Sequence, residues 1–308
     1  MSHVRASVEP SRLAAAKGTR RAGEPDVSPI VPCSPRLAWE FRRHASKISR
    51  PKELLTAARP SVVVLMMDQG PLQSRLRRNL EAVLQRIEAA AARSGRPPNS
   101  VRLIAVTKYV SVMTAGHLAA MGCRDLGESR PQRLWECAEA IDDPAVVWHL
   151  IGPLQKNKIR KTLKYAAWIH SADSWELLAA IDRIAAEEGV RPAVLLEVNT
   201  SQNPAKHGFQ PDALLASANR LAEFGHVAVS GLMCMAGWEG DLEGARRDFR
   251  SLWLLRDRLR AELPSGLPLE HLSMGMSGDF EIAIEEGATM VRVGSLLFEG
   301  IAADAGEA

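Results

Sequence analysis

The chain has 308 residues, 46% hydrophobic and 24% charged, with a formal net charge of +3, the balance of a soluble globular protein with room for one large domain or two small ones. Residues 1–60 hold 12 Lys/Arg and 5 Asp/Glu, leaving 27 of the 39 basic residues against 31 of the 36 acidic ones, so the folded part is mildly acidic and carries no nucleic-acid footprint. No apolar run is long enough to span a bilayer, and "SVVVLMM" at 61–67 is too short and too far from the terminus for a membrane anchor or a signal peptide.

Residues 1–68 lack sustained periodicity and are rich in Pro, Arg, Ser and Ala, which predicts a disordered, basic extension. The bias fits a transit peptide, a basic arm or a misassigned start codon. Met66 and Met67, just before the first strong helix, favour the last. Cys33, Cys123, Cys137 and Cys234 form no CxxC, which fits free thiols in a reducing, cytoplasmic compartment.

The domain proper is expected over 69–302, with 303–308 as a tail. Its first helix is "PLQSRLRRNLEAVLQRIEAAAARSG", with Leu72, Leu76, Leu80, Val83, Leu84 and Ile87 on one face and Gly95 and Pro97 as the stop. Apolar or β-branched stretches then recur at 101–108, 123–128, 146–152, 168–172, 193–200, 228–236, 269–275 and 290–298. Segments of helical period separate them, at about 112–121, 131–141, 157–166, 174–188, 211–224, 241–263 and 279–287. Strand and helix alternating eight times predict a (β/α)8 TIM barrel. The alternative is an open doubly wound sheet, but its first turn is usually Gly-rich and this one reads "TKYVS".

Function in such a barrel sits at the carboxyl ends of the strands. The first strand ends in Lys108, an ammonium group after an apolar run. A lysine in an apolar mouth has its charged form disfavoured, and the free amine attacks carbonyls. Ser277 and Gly278 lead into a helix near Asp279, and Gly294 and Ser295 belong to the eighth strand. Small residues and hydroxyls in these two loops suit a phosphate. "GMSG" lacks the spacing of a serine-hydrolase elbow. A phosphate site beside a Schiff-base lysine leaves two ligand classes open: pyridoxal 5′-phosphate (PLP), or a phosphorylated sugar carbonyl as in class I aldolases. Arg292 faces Lys108 across the seam between the eighth and first strands. It suits a pyridine nitrogen or a plain anion clamp. His149, His170, His207 and His271 show no metal-ligand spacing, so no metal is expected.

The segments "AVTK", "LGES", "WHLIGPLQKNK", "IHSADS", "VNTSQNPAKHG", "GLMCMA", "LSMGMSGDFEIAIEEGATMVRVGS" and "LFEG" resemble the pyridoxal phosphate homeostasis protein family, single-domain relatives of the alanine racemase barrel. The resemblance runs from about residue 71 to 300, in order. It implies an alanine-racemase-type TIM barrel and a Schiff base between Lys108 and PLP. It further implies Ser277, Gly294 and Ser295 at the phosphate and Arg292 beside the ring, with Ser129, Asn199 and Met233 from the matching motifs also at the cofactor. Two departures touch the second loop: Ser129 stands where the family usually has Asn, and Gln132-Arg133 where it has Gln-Glu.

The expected function is therefore a PLP carrier that buffers the cofactor and delivers it to apo forms of PLP enzymes, with no catalytic residue. The alternatives are a PLP-dependent amino-acid racemase and a class I aldolase. Racemisation needs an acid/base on each face of the substrate. The tyrosines are Tyr109 and Tyr165. Tyr109, next to Lys108 on a strand, is expected to point away, and the sequence ends eight residues after Gly300, with no C-terminal β-domain to add a second base. The chain is expected to be a monomer or weak dimer without membrane or nucleic-acid partners.

Overall fold

The computed structural model describes residues 70–201, 206–237, 242–263, 267 and 269–301. The expected N-terminal extension, with Cys33, Met66 and Met67, and the tail after 302 lie outside the described residues. Helix α1 spans Pro71–Arg93, opens with a proline at a position where the missing N–H costs nothing, and buries Leu76, Leu80, Val83 and Ile87 along one stripe.

Eight strands follow: β1 (Arg102–Val106), β2 (Asp125–Glu128), β3 (Val147–Leu150), β4 (Ala166–Ala172), β5 (Ala193–Glu197), β6 (Ala228–Met233), β7 (His271–Ser273) and β8 (Met290–Val293). Between them run α2 (Val112–Ala120), α3 (Pro131–Ala140), α4 (Ile159–Thr162), α5 (Trp175–Glu188), α6 (Pro211–Ala216), α7 (Leu242–Glu262) and α8 (Phe280–Glu285). Each strand pairs with its sequence neighbours and β8 closes on β1, giving the expected parallel barrel. Its register sets Ile104 beside Arg292 and Gly127 beside His149.

Local chemistry explains the boundaries. Ser111 and Ser174 cap α2 and α5 by accepting from Thr114 N and Leu177 N, and Gly189, at φ 65°, ends α5 in the left-handed conformation. The helices expected over 157–166 and 211–224 are shorter than their periodicity suggests. Thr162 Oγ1 and Ser217 Oγ each donate to a carbonyl four residues back, at 2.8 and 2.6 Å, and α4 and α6 stop there.

Strand alternation separates two kinds of interior. Ala105, Leu126, Ile169, Leu196, Leu232 and Val291 join the large core between strands and helices. Ile104, Leu195, Met233 and Met290 pack together on the other strand face, inside the barrel, with Ile151 and Trp168 against them. Helix α1 braces one sector from outside. Arg86 makes a two-pronged bond to Glu281 on α8, at 2.8 and 2.9 Å. Asn79 Nδ2 donates to the carbonyls of Leu297 and Glu299, both at 3.0 Å, which fixes the 3-10 turn Ser295–Phe298.

Candidate functional site

A cavity of about 890 Å3 opens at the carboxyl ends of the strands, a volume suited to a small-molecule ligand. Lys108, Ser129, Asn199, Ser277, Arg292, Gly294 and Ser295 all line it. Of the residues selected from sequence, Met233 is the one not on its wall: it is buried within the inner apolar cluster, where the inward face of β6 carries it.

β1 stops at Val106, so Lys108 occupies a turn after the strand and does not end the strand itself. The turn is tied down behind the lysine. Thr107 Oγ1 donates to buried Glu128 Oε1 at 2.6 Å, Val110 N donates to Thr107 O, and Arg133 Nη2 donates to Val110 O at 2.9 Å. Arg133, one of the two departures from the family pattern, thus holds the lysine-bearing turn. Burial pushes the Glu128 carboxyl above its ordinary range, and its Oε2 has no hydrogen-bond partner among the described residues.

The turn also overturns the expectation for Tyr109. Off the strand, alternation no longer applies, and Lys108 Nζ lies 4.7 Å from the centre of the Tyr109 ring. Both residues line the cavity. Among the described residues Lys108 Nζ has no hydrogen-bond or ion-pair partner. Lys206, the other lysine on the wall, is committed: its Nζ donates to Met235 O at 3.2 Å and Ala236 O at 2.9 Å. Asn199 is also engaged in its own loop, donating to Lys206 O at 3.3 Å and accepting from Ser201 Oγ at 3.1 Å.

The loops after β7 and β8 form one cradle. Gly275, at φ 91°, turns the chain where a Cβ would stand 2.5 Å from Ala283 Cβ, so glycine alone lets this loop lie on α8. Asp279 Oδ1 accepts from Met276 N at 2.5 Å and closes the loop. Gly294 N donates to Ser277 Oγ at 3.2 Å and joins the two loops. A Cβ on Gly278 would meet no protein atom within 4 Å. β8 ends at Val293, so Gly294 and Ser295 start the following 3-10 turn and do not belong to the strand, as the sequence had suggested.

Arg292 is 4% exposed and bonded on both arms: Nη1 donates to Ser273 O at 2.8 Å and Ser273 Oγ at 2.7 Å, and Nη2 to Cys234 O at 3.0 Å. Burial lowers its pKa, but guanidinium stays charged in proteins. Glu197 and Asp173 also face the cavity, and burial, then the Asp173 charge, pushes Glu197 up. Sequence reasoning missed both, although Glu197 ends the apolar run "AVLLE" as Lys108 follows "LIAV". Ser129 lies on the wall shared with a neighbouring cleft of about 700 Å3, which Arg130, Gln132 and Lys158 also line. Among the described residues, no three His, Cys, Asp or Glu side chains are grouped to hold a metal ion. Nor is any helix there long and apolar enough to cross a membrane.

The family pattern of the alanine racemase N-terminal domain matches residues 78–301. The pyridoxal phosphate homeostasis protein of Aquifex aeolicus is 39% identical over 219 residues, covering 71% of this chain and 95% of that protein. Its counterpart in Deinococcus radiodurans is 40% identical over 222 residues, covering 71% and 99%. The solved structure of PipY from Synechococcus elongatus with PLP bound superposes with a TM-score of 0.62 at 38% identity, covering 70% of this chain and 99% of PipY. The cavity lysine, the serine–glycine cradle and the closed parallel barrel thus sit in a chain that belongs to the pyridoxal phosphate homeostasis protein family.

Proposed function

We propose that this protein holds PLP in the barrel-mouth cavity and serves in its homeostasis, buffering the cofactor and handing it to apo-enzymes in the cytoplasm. One observation carries the reading: a lysine amine with no hydrogen-bond or ion-pair partner among the described residues shares a cavity with a cradle of serines and glycines. The names of the Aquifex and Deinococcus relatives and the PLP in PipY support it.

The residues fit the group. When bound, PLP supplies an aldehyde and an electron-withdrawing pyridine ring. Lys108 would supply an amine for that aldehyde, and its Nζ, with no hydrogen-bond or ion-pair partner among the described residues, is available for it. Ser277 and Ser295 supply hydroxyl donors for the phosphate, and the open face of Gly278 admits it without a side-chain clash. Arg292 presents a fixed positive charge, which would keep a ring nitrogen held beside it unprotonated and so weaken the ring as an electron sink.

A PLP-dependent racemase is the competing reading, favoured by Tyr109 and Glu197 on the cavity wall. The contact of the Tyr109 ring with the Lys108 amine argues against it, because the pair are adjacent groups and not acid and base on opposite faces. The test is to load the protein with PLP, record its visible spectrum, and incubate it with L-alanine in deuterated water. The expected result is a yellow, borohydride-reducible protein that transfers PLP to an apo-aminotransferase and gives little α-deuterium exchange. A colourless protein would overturn PLP binding. Racemisation at about 1 s⁻¹ or faster would establish the enzyme instead.

A further inference from the structure

A line of polar side chains crosses the barrel interior, where this fold usually packs layers of branched apolar residues. Arg292 Nη1 donates to Ser273 Oγ at 2.7 Å. Ser273 Oγ lies 2.9 Å from His170 Nδ1, and His170 Nε2 lies 2.9 Å from His149 Nδ1. His149 Nε2 lies 2.9 Å from Asp125 Oδ1, which Arg102 Nη1 approaches at 3.5 Å. His149, His170 and Ser273 are wholly buried, whereas Asp125 is 22% exposed. The Trp168 ring stacks on His149, 5.8 Å between centres.

Donor counting gives this line a direction. A carboxylate only accepts, so Asp125 requires a proton on His149 Nε2. A neutral His149 then accepts at Nδ1, which requires a proton on His170 Nε2. His170 in turn accepts at Nδ1, and the Ser273 hydroxyl must donate to it. That leaves the Ser273 lone pairs for Arg292, which only donates. The reverse arrangement would set an unprotonated His149 Nε2 against the Asp125 carboxylate. Burial favours the neutral form of both rings and holds His170 well below its ordinary range.

From this we infer that Asp125, His149, His170 and Ser273 are positioning residues: a one-way hydrogen-bond relay that starts at the Asp125 carboxylate and ends by orienting the Arg292 guanidinium toward the cofactor cavity. The relay keeps Nη1 turned to the Ser273 hydroxyl and carbonyl and Nη2 to the Cys234 carbonyl. Arg292 also lines the cavity, so a guanidinium held in this way stands at a fixed place in its wall, as preorganised sites require. The link to the cofactor rests on the PLP reading above, but the relay itself does not.

The test therefore has two arms. In the protein without PLP, nitrogen-15 NMR of the imidazoles is expected to show His149 and His170 neutral, each protonated at Nε2 and not Nδ1, and not titrating from pH 6 to 8. Asp125→Asn removes the carboxylate that sets the direction. It is expected to change the His170 nitrogen shifts, although His170 makes no hydrogen bond to residue 125. A proton on Nδ1 of either ring, or His170 shifts that ignore Asp125→Asn, would overturn the relay.

In the second arm, His170→Phe and Ser273→Ala are each loaded with PLP. Each is expected to shift the visible absorbance maximum and weaken PLP binding about tenfold, the size of one lost bond to a charged group. The double variant is expected to match either single one, because both break the same chain. Additive effects, or an unshifted spectrum with only a lower melting temperature, would reduce these residues to packing. A wild-type protein that takes up no PLP would sink the functional reading, and the NMR arm would still decide the relay.

Discussion

At the rim of the cavity, Lys108 Nζ lies over the Tyr109 ring and has no hydrogen-bond or ion-pair partner among the described residues, and the space before Gly278 is open. A few strand positions below, His149, His170 and Ser273 are wholly buried and each is bonded to the next. Both regions are polar, yet they are built for opposite ends. A buried polar group left unpaired is costly, so the interior tolerates polarity only as a completed chain. A rim group in contact with water can remain uncommitted at little cost and is then free for a ligand. Groups that meet the ligand directly should therefore reside in the rim, and the interior should act on binding only by positioning Arg292 while it carries stability.

The sharpest way to break this division is Lys108→Ala. Borohydride reduction of the PLP-loaded wild type should fix one pyridoxyl group on Lys108, and the variant should fix none while melting within about 0.5 kcal/mol of wild type. Mass spectrometry of the peptides decides it, and a label that persists on Lys156, Lys158 or Lys206 would refute the assignment. Next in size are Ser277→Ala and Ser295→Ala. Each should weaken PLP binding by roughly 1.5–3 kcal/mol, the range for a hydrogen bond to a charged group, and leave pyridoxal without its phosphate nearly unaffected. Equal losses for the two ligands would mark the serines as structural.

The interior predicts a pH effect. Burial lowers the pKa of His271 from 6.5 to about 4, and His149 and His170 move the same way. On acidification the unfolded chain therefore takes up these protons before the folded one. The His271 contribution is fully present above about pH 6.5 and is lost as the pH falls towards 4, by up to about 1.4 kcal/mol per pH unit; those of His149 and His170 are lost in the same direction. Urea unfolding at stepped pH should show that slope, and His271→Asn should flatten it; an unchanged slope would place the acid sensitivity elsewhere. The smallest effect is expected at the junction of the two regions. Arg133→Ala removes the bond to Val110 O that holds the Lys108 turn, at about 1 kcal/mol of stability. Arg133→Lys should not restore it, because a single ammonium cannot reproduce the guanidinium fork. Full recovery by lysine in a melting experiment would show that charge alone suffices.

Much of this was legible along the chain. The alternation of apolar runs with helical period gave eight units and their order, and "LIAV" followed two residues later by Lys108 pointed to a lysine that lines the cavity. Tyr109 was misplaced because strand alternation was carried three residues past Val106, where the strand ends. Glu197 was passed over because one carboxylate after an apolar run reads as a strand reaching water. His149 and His170 were read as separate strand-end residues, since nothing local distinguishes a histidine inside a barrel from one at its mouth.

By itself the sequence determined the succession of βα units, the small and hydroxyl residues of the last two loops, and the lysine after the first strand, because periodicity and turn chemistry are local properties. The tertiary structure alone decided what those residues meet. The bond from His170 to Ser273 joins positions 103 residues apart, and the bond from Arg292 to Cys234 joins positions 58 apart. Such pairs exist only once β8 has closed on β1 and set the register of every strand between them.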